Sequence, residues 1–234
     1  MKIITISGID GSGKSTQLKE LQKHLEKQNK SVQSFHVVTF SLINNILWKN
    51  KKRKERKHKL QQNENLDQTT IFEQPARAIT SGNFFTIFAR KIILLIDIIR
   101  FKFFTRKLQQ RKINYLLSDR YFYDQIINIL YLSYKKIVIQ EIANPQGKKI
   151  DIKFSPLLKL SNKLIPQPAN SFFIDIPPKI ALERDRDIEQ GKEYLVIKRV
   201  LYKKFLAQWN IKLINGDNEP NIIQKEILKI INDL

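Results

Sequence analysis

The sequence contains no cysteine, which excludes disulfides and thiolate metal sites. It is poor in acidic residues, with 22 against 42 lysines and arginines, leaving a formal net charge of +20. It has no long uninterrupted apolar run. The most apolar stretch, Phe84–Phe104, is broken by Arg90, Lys91, Asp97, Arg100 and Lys102, whereas a membrane span needs about 20 mainly apolar residues. No membrane association is therefore expected. A signal-peptide pattern is also missing, because the chain enters a strand-like run at Lys2. With the lack of cysteine, this suits the cytoplasm. Glycine is scarce, seven in 234 residues, yet three of the seven stand at positions 8, 11 and 13.

A chain of 234 residues with 42% hydrophobic and 27% charged content suffices for one well-packed domain, 1–234. The basic excess is spread along the whole chain, which is also rich in Ile and Asn. Charge of this kind suits anionic small substrates and nucleic acids alike, and says nothing of the fold.

The clustered glycines belong to Gly8–Ser15, which reads G-I-D-G-S-G-K-S and fits the spacing G-x-x-x-x-G-K-S of phosphate-binding loops. Its surroundings have the form that motif requires. Lys2–Ser7 is a short β-branched run that reads as a buried strand. Ser15–Gln28 carries Leu18, Leu21 and Leu25 at helical spacing. Gly8, Gly11 and Gly13 let the backbone turn its N–H groups inward, and the helix N-terminus adds partial positive charge. Asp10, Ser12 and Thr16 complete the loop. Lys14 can reach the β- and γ-phosphates of ATP, and the Ser15 hydroxyl can bind Mg²⁺.

Further along, Ser31–Thr39 reads as a second strand. The dense basic run Lys49–Lys59 reads as a mobile insertion extending to about residue 70, able to steer anions. Phe84–Gln110 reads as a long helix, apolar on more than one side and hence largely buried. Ile113–Ser118 reads as a strand and Tyr121–Tyr134 as a helix. Lys135–Gln167 reads as loops with one short helix. Ser171–Ile176 is a strand stopped by Pro177 and Pro178, followed by helices at Lys179–Asp185 and Lys192–Trp209. Ile211–Asn215 is a last strand and Asn221–Leu234 a last helix. Strands alternating with helices predict an α/β fold: a P-loop NTPase with about five parallel strands and helices on both faces. The loops after the strands should then meet in one cleft.

Asp119 and Arg120 follow the middle strand directly. An Asp at the carboxyl end of a strand beside a phosphate loop can hold Mg²⁺ or its waters. Arg120 offers a planar fork for a phosphate or carboxylate.

With these residues in view, the chain resembles the thymidylate kinase family of nucleoside monophosphate kinases. The likeness lies in GIDGSGKST at Gly8–Thr16, DRY at Asp119–Tyr121, FFIDIPPKIALER at Phe172–Arg184, RVLYKKFL at Arg199–Leu206 and INGD at Ile214–Asp217. It implies phosphoryl transfer from ATP-Mg²⁺ to a nucleoside monophosphate, dTMP to dTDP first, and a homodimer. It further implies that Lys14, Ser15 and Thr16 hold ATP phosphates and metal. Asp10 would face the acceptor sugar, Arg100, Arg120 and Tyr121 would lie on the acceptor side, and a lid at about 184–193 would supply Arg184 and Arg186 to the transferring phosphoryl.

The chain departs from the family at two points. Where a Thr-Arg-Glu-Pro-Gly segment should follow the second strand, it has Thr39-Phe40-Ser41-Leu42. Where a Ser or Thr should follow the Asp-Arg-Tyr, it has Asp124. A carboxylate there would repel an acceptor phosphate and could accept a hydroxyl proton. A kinase of a nucleoside or another small acceptor is therefore the second expectation. A nucleotide-binding protein associated with nucleic acid, supported by the basic run, is the third.

Overall fold

In the computed structural model, residues 1–42, 83–144, 151–185 and 191–232 are described. The Lys49–Lys59 run, the polar stretch after it and Arg186 lie outside them. The elements, in chain order, are β1 (Lys2–Gly8), α1 (Lys14–Lys27), β2 (Val32–His36), α2 (Val37–Phe40), α3 (Phe84–Gln110), β3 (Tyr115–Asp119), α4 (Phe122–Ala143), α5 (Pro156–Leu164), β4 (Asn170–Asp175), α6 (Pro178–Arg184), α7 (Gly191–Phe205), β5 (Lys212–Asn215) and α8 (Pro220–Asn232).

The five strands are all parallel, in the order β2-β3-β1-β4-β5. Period-two alternation sends successive side chains to opposite faces. Ile4, Ile6, Leu117, Phe172 and Ile174 pack with Leu21 and Leu25 of α1 and with Ile223 and Ile227 of α8. Ile3, Leu116 and Phe173 face the larger core, formed with α3, α4 and α7. With apolar cores on both faces and every strand pointing the same way, the carboxyl ends of β1, β2 and β3 line one edge. Ile6 and His36 both stand level with Asp119. The chain runs outward from β1 to β2, and later crosses from β3 past β1 to β4. That reversal opens a crevice at the carboxyl ends of the central strands, where sheets of this kind bind ligands.

Three elements depart from the sequence expectation. The second strand stops at His36, and Val37–Phe40 form a helical turn despite their β-branched residues. The His36 Nδ1 accepts the Val38 N–H at 3.2 Å. Phe40 joins Phe35, Phe101 and Phe104 at ring separations of 5.1, 6.2 and 5.9 Å. Tertiary packing overrides local propensity here. Helix α4 runs on to Ala143 rather than stopping at Tyr134. Val138 is buried and Glu141 accepts from Lys204 of α7 at 2.6 Å, so α7 supports the extra turns. Helix α3 has the expected bounds but is not largely buried. Leu94, Ile98, Phe101 and Leu108 form its core stripe, whereas Phe84, Phe85 and Phe103 are exposed.

Among the described residues, no helix is long and apolar enough to cross a membrane.

Candidate active site

The loop from Ile9 to Gly13 joins β1 to α1. Gly13 caps α1 at φ 87°, and Gly11 lies at φ 77°. Both are in the left-handed region that glycine enters without strain. Position 11 is also sterically closed: a Cβ there would stand 2.5 Å from the Ala181 carbonyl oxygen of α6. Ser12 is buried and folds back over Gly8, where a Cβ would stand 2.5 Å from its Oγ. The early N–H groups of α1 have no intrahelical partner. Ser15 and Thr16, in its first turn, are exposed.

Lys14, the first residue of α1, is buried and donates from Nζ to the Ile9 carbonyl at 2.8 Å, curling over its own loop. Burial, reinforced by repulsion from Arg120, pulls its ammonium down to about 8. Ser15 Oγ donates to Asp119 Oδ2 at 2.9 Å, across from the end of β3. The other Asp119 oxygen is buried and accepts no hydrogen bond among the described residues. A hydroxyl beside a carboxylate with a spare lone-pair face fits Mg²⁺. That ion usually keeps several waters and takes only one or two protein oxygens besides substrate phosphates. Among the described residues, no three His, Asp or Glu side chains gather as a complete metal cage.

Arg120 sits next along the chain, at φ 62°. A non-glycine residue in that region is strained and persists only where its surroundings fix it. Here its N–H donates to the Ile6 carbonyl at 3.0 Å and its own carbonyl accepts from the Ser118 hydroxyl. The guanidinium is nearly buried between Asp10, which it hydrogen-bonds through Nη2, and Asp124, 3.6 Å from Nη1. Burial opposes its charge, but Asp10 and Asp124 outweigh that and raise its pKa further. Burial likewise works against an ionised Asp10, yet Arg120, Lys198 and Lys14 hold that carboxyl well below the usual range.

Asp124 does not reach the cleft as an exposed base. It is buried in the first turn of α4, where Oδ2 accepts from Ser7 Oγ at 2.7 Å and from the Tyr121 N–H at 3.0 Å. Burial raises its pKa, but Lys198 and Arg120 more than reverse this and keep it ionised. The structure thus removes the base role weighed for it above: an anion held between two cations is a poor proton acceptor. Tyr121 does not join the cleft either. Its ring is fully buried against Phe101, Phe122 and Tyr123, and its hydroxyl donates to the Pro166 carbonyl at 2.7 Å.

Two more predicted residues lie at the edges. Arg100 donates to Asp97 Oδ1 at 2.8 Å and to the Phe40 carbonyl at 3.2 Å, with its guanidinium 4.6 Å from the Phe40 ring. Asp97 also accepts from Ser41 Oγ at 2.7 Å and from the Leu42 N–H, so it ties down the segment after α2. Arg184 donates to the Gly216 carbonyl at 3.0 Å and stands 3.9 Å from Asp217. In this arrangement it braces the β5–α8 turn. On the ATP-dependent transfer that the sequence leads one to expect, Arg184→Ala should then raise the KM for ATP by about tenfold at most and leave kcat nearly unchanged. Steady-state kinetics on that variant check this, and a fall in kcat at saturating ATP would return Arg184 to the transferring phosphoryl.

Two functional neighbours were not legible in the sequence. Lys198 of α7 is 1% exposed and lies 3.7 Å from Asp124 Oδ1. Burial, with repulsion from Arg120, lowers its pKa to about 8. Arg199, next to it, grips Asp175 at the end of β4 through two hydrogen bonds of 2.5 and 2.9 Å, with Lys203 adding a third contact at 2.8 Å. Lys198 lies in no motif, and Arg199 opens the family-like segment Arg199–Leu206 but drew no role there; only the helical spacing of α7 could have suggested that they point inward. At the cleft and buried just beneath it, Lys14, Arg120 and Lys198 are set against Asp10, Asp119 and Asp124. The charges balance, and Lys14 and Arg120 stand where a polyphosphate would compete for them.

No family model matches the chain, and no curated protein matches it significantly in sequence.

Proposed function

We propose that this chain transfers the terminal phosphoryl group of ATP, bound with Mg²⁺, to a nucleoside monophosphate, with dTMP as the first acceptor to test. The observation that carries this reading is the meeting of Ser15, at the start of α1, with Asp119, at the end of β3, at 2.9 Å. A phosphate-loop kinase needs that pair to hold its metal.

In this reading the glycine loop and the N-terminus of α1 bind the ATP phosphates. Lys14 leaves the Ile9 carbonyl for the β- and γ-phosphate oxygens. Contact with those anions raises the lysine's pKa and keeps it charged. Ser15 and Asp119 would hold Mg²⁺, which would supply positive charge against that of the phosphates. Arg120 keeps Asp10 through Nη2 and turns Nη1, which faces Asp124 at 3.6 Å, toward the acceptor or transferring phosphate, placing a directed donor where charge builds up. Phosphoryl transfer asks mainly for such positioning and electrostatic stabilisation.

One observation favours a second reading, in which the acceptor is a nucleoside. The segment Val37–Leu42, facing the acceptor side, carries no cation, and its Ser41 and Leu42 are tied to Asp97. Among the described residues, an acceptor phosphate would then rely on Arg120 and Arg100. ADP formation measured against a panel of nucleoside monophosphates and nucleosides separates the two. Turnover that depends on dTMP is expected. Turnover with nucleosides only would transfer the assignment to the second reading, and no turnover with any acceptor would remove both.

A further inference from the structure

Asp124 has a divided environment. Its Oδ2 is fully engaged by Ser7 and the Tyr121 N–H. Its Oδ1 is buried and has no hydrogen bond among the described residues, yet it faces two cations at almost equal range: Arg120 Nη1 at 3.6 Å and Lys198 Nζ at 3.7 Å. Each lies just beyond hydrogen-bonding distance. An oxygen shared in this way can pass to either partner with a movement of about 1 Å, the difference between these separations and a charge-assisted hydrogen bond.

We propose that Lys198 is a positioning residue for the phosphoryl transfer: it takes over Asp124 when Arg120 turns toward an incoming phosphate. This rests on the phosphoryl-transfer reading given above. Without Lys198, the departure of Arg120 would leave a buried carboxylate with no counter-charge and only neutral groups beside it, Ser7, the Tyr121 N–H and Tyr202, a strongly unfavourable state. Arg120 would then stay on Asp124, away from the substrate. With Lys198 in place, the charge on Asp124 is met throughout. Lys198 touches no substrate in this scheme and acts only through Asp124. The arrangement also accounts for an acidic residue at a position where the family resemblance leads one to expect a hydroxyl. Asp124 and Lys198 work as a pair, supplied by α4 and α7, which pack together beneath the cleft.

Three chains decide it: the wild type, K198Q and the double variant K198M/D124N, each checked for folding by circular dichroism and thermal unfolding. Glutamine keeps a donor for Oδ1 but not the charge. The kcat of K198Q is expected to fall on the order of tenfold or more, with its KM for ATP within about twofold. The double variant should recover most of that loss, since no carboxylate then needs a second cation. A folded K198Q with wild-type kcat overturns the proposal, as does a double variant as slow as K198Q, which would mark a purely structural pair. Should K198Q not fold, the ammonium resonance of Lys198 in ¹⁵N-labelled wild type is read instead, assigned by its loss in K198R. Slower hydrogen exchange at Lys198 on adding a non-hydrolysable ATP analogue with Mg²⁺ supports the take-over, and an unchanged signal overturns it. The kinase reading fails in a different way, by absence of wild-type turnover with every acceptor. In that event pyrophosphate binding by calorimetry replaces kcat. Weaker binding in K198Q that is restored in the double variant supports the proposal, and equal binding, or none in any chain, overturns it.

Discussion

Replacing Lys14 by alanine is expected to lower turnover by on the order of 10²–10³-fold or more, the range for deleting one preorganised donor to a developing anion. The side chain begins at the first residue of α1 and already lies over the glycine loop, where its Nζ donates to the Ile9 carbonyl at 2.8 Å. It needs only to exchange that carbonyl for phosphate oxygens, and no other cation springs from the loop. The fold should survive, because Lys14 costs stability rather than supplying it. Burial brings its pKa from 10.5 down to about 8. Between those values the unfolded chain binds more protons than the folded one, so stability rises with pH across that window. Lys198, lowered to about 8 as well, adds to the same slope. Below pH 8 both ammonium groups are charged in either state and their burial cost is fully present. Lys14→Ala should therefore raise the Tm at pH 7, where the burial cost is relieved, and flatten its rise from pH 8 to 10. Thermal unfolding across that range, beside ATP turnover at saturation, checks both parts. Unchanged turnover would remove the phosphate-binding role of the loop.

Arg120→Lys is expected to cost about 10–100-fold in kcat/KM, the equivalent of one strong charge-assisted hydrogen bond. Charge is kept in this variant, so the experiment isolates geometry. A guanidinium can hold Asp10 through one nitrogen and present another to a phosphate; a single ammonium cannot serve both with fixed directions. The left-handed backbone at residue 120 is as strained for lysine as for arginine, so the comparison is free of a backbone difference. Activity near that of the wild type would make Arg120 a structural partner of Asp10 and Asp124 and nothing more.

The parallel sheet was legible because its strands are short apolar runs separated by helical periodicity, and five of five lie where those runs fall. The glycine loop was legible because its residues must be contiguous: backbone turn, lysine and hydroxyl are local features. The pairing of Ser15 with Asp119 could be expected only because each ends or begins an element whose place in the sheet was inferable. What the sequence did not show depends on distance in the chain. Lys198 is 74 residues from Asp124, and nothing between them signals that α7 turns that face inward. The capture of Phe40 by Phe35, Phe101 and Phe104 outweighs the strand propensity of Val37 and Val38 for the same reason. The family resemblance implies a lid role toward phosphate for Arg184, the last residue of α6, but its guanidinium donates to the Gly216 carbonyl, which belongs to the last strand's turn.

The contact between Gly11 and Ala181 leaves the loop and α6 without clearance. A single methyl at position 11 would meet the Ala181 carbonyl oxygen at 2.5 Å. The two parts therefore behave like a stop and a lever in contact. A side chain added at position 11 would have to displace either the loop or the Ala181 backbone of α6. Arg184 rides at the far end of that lever.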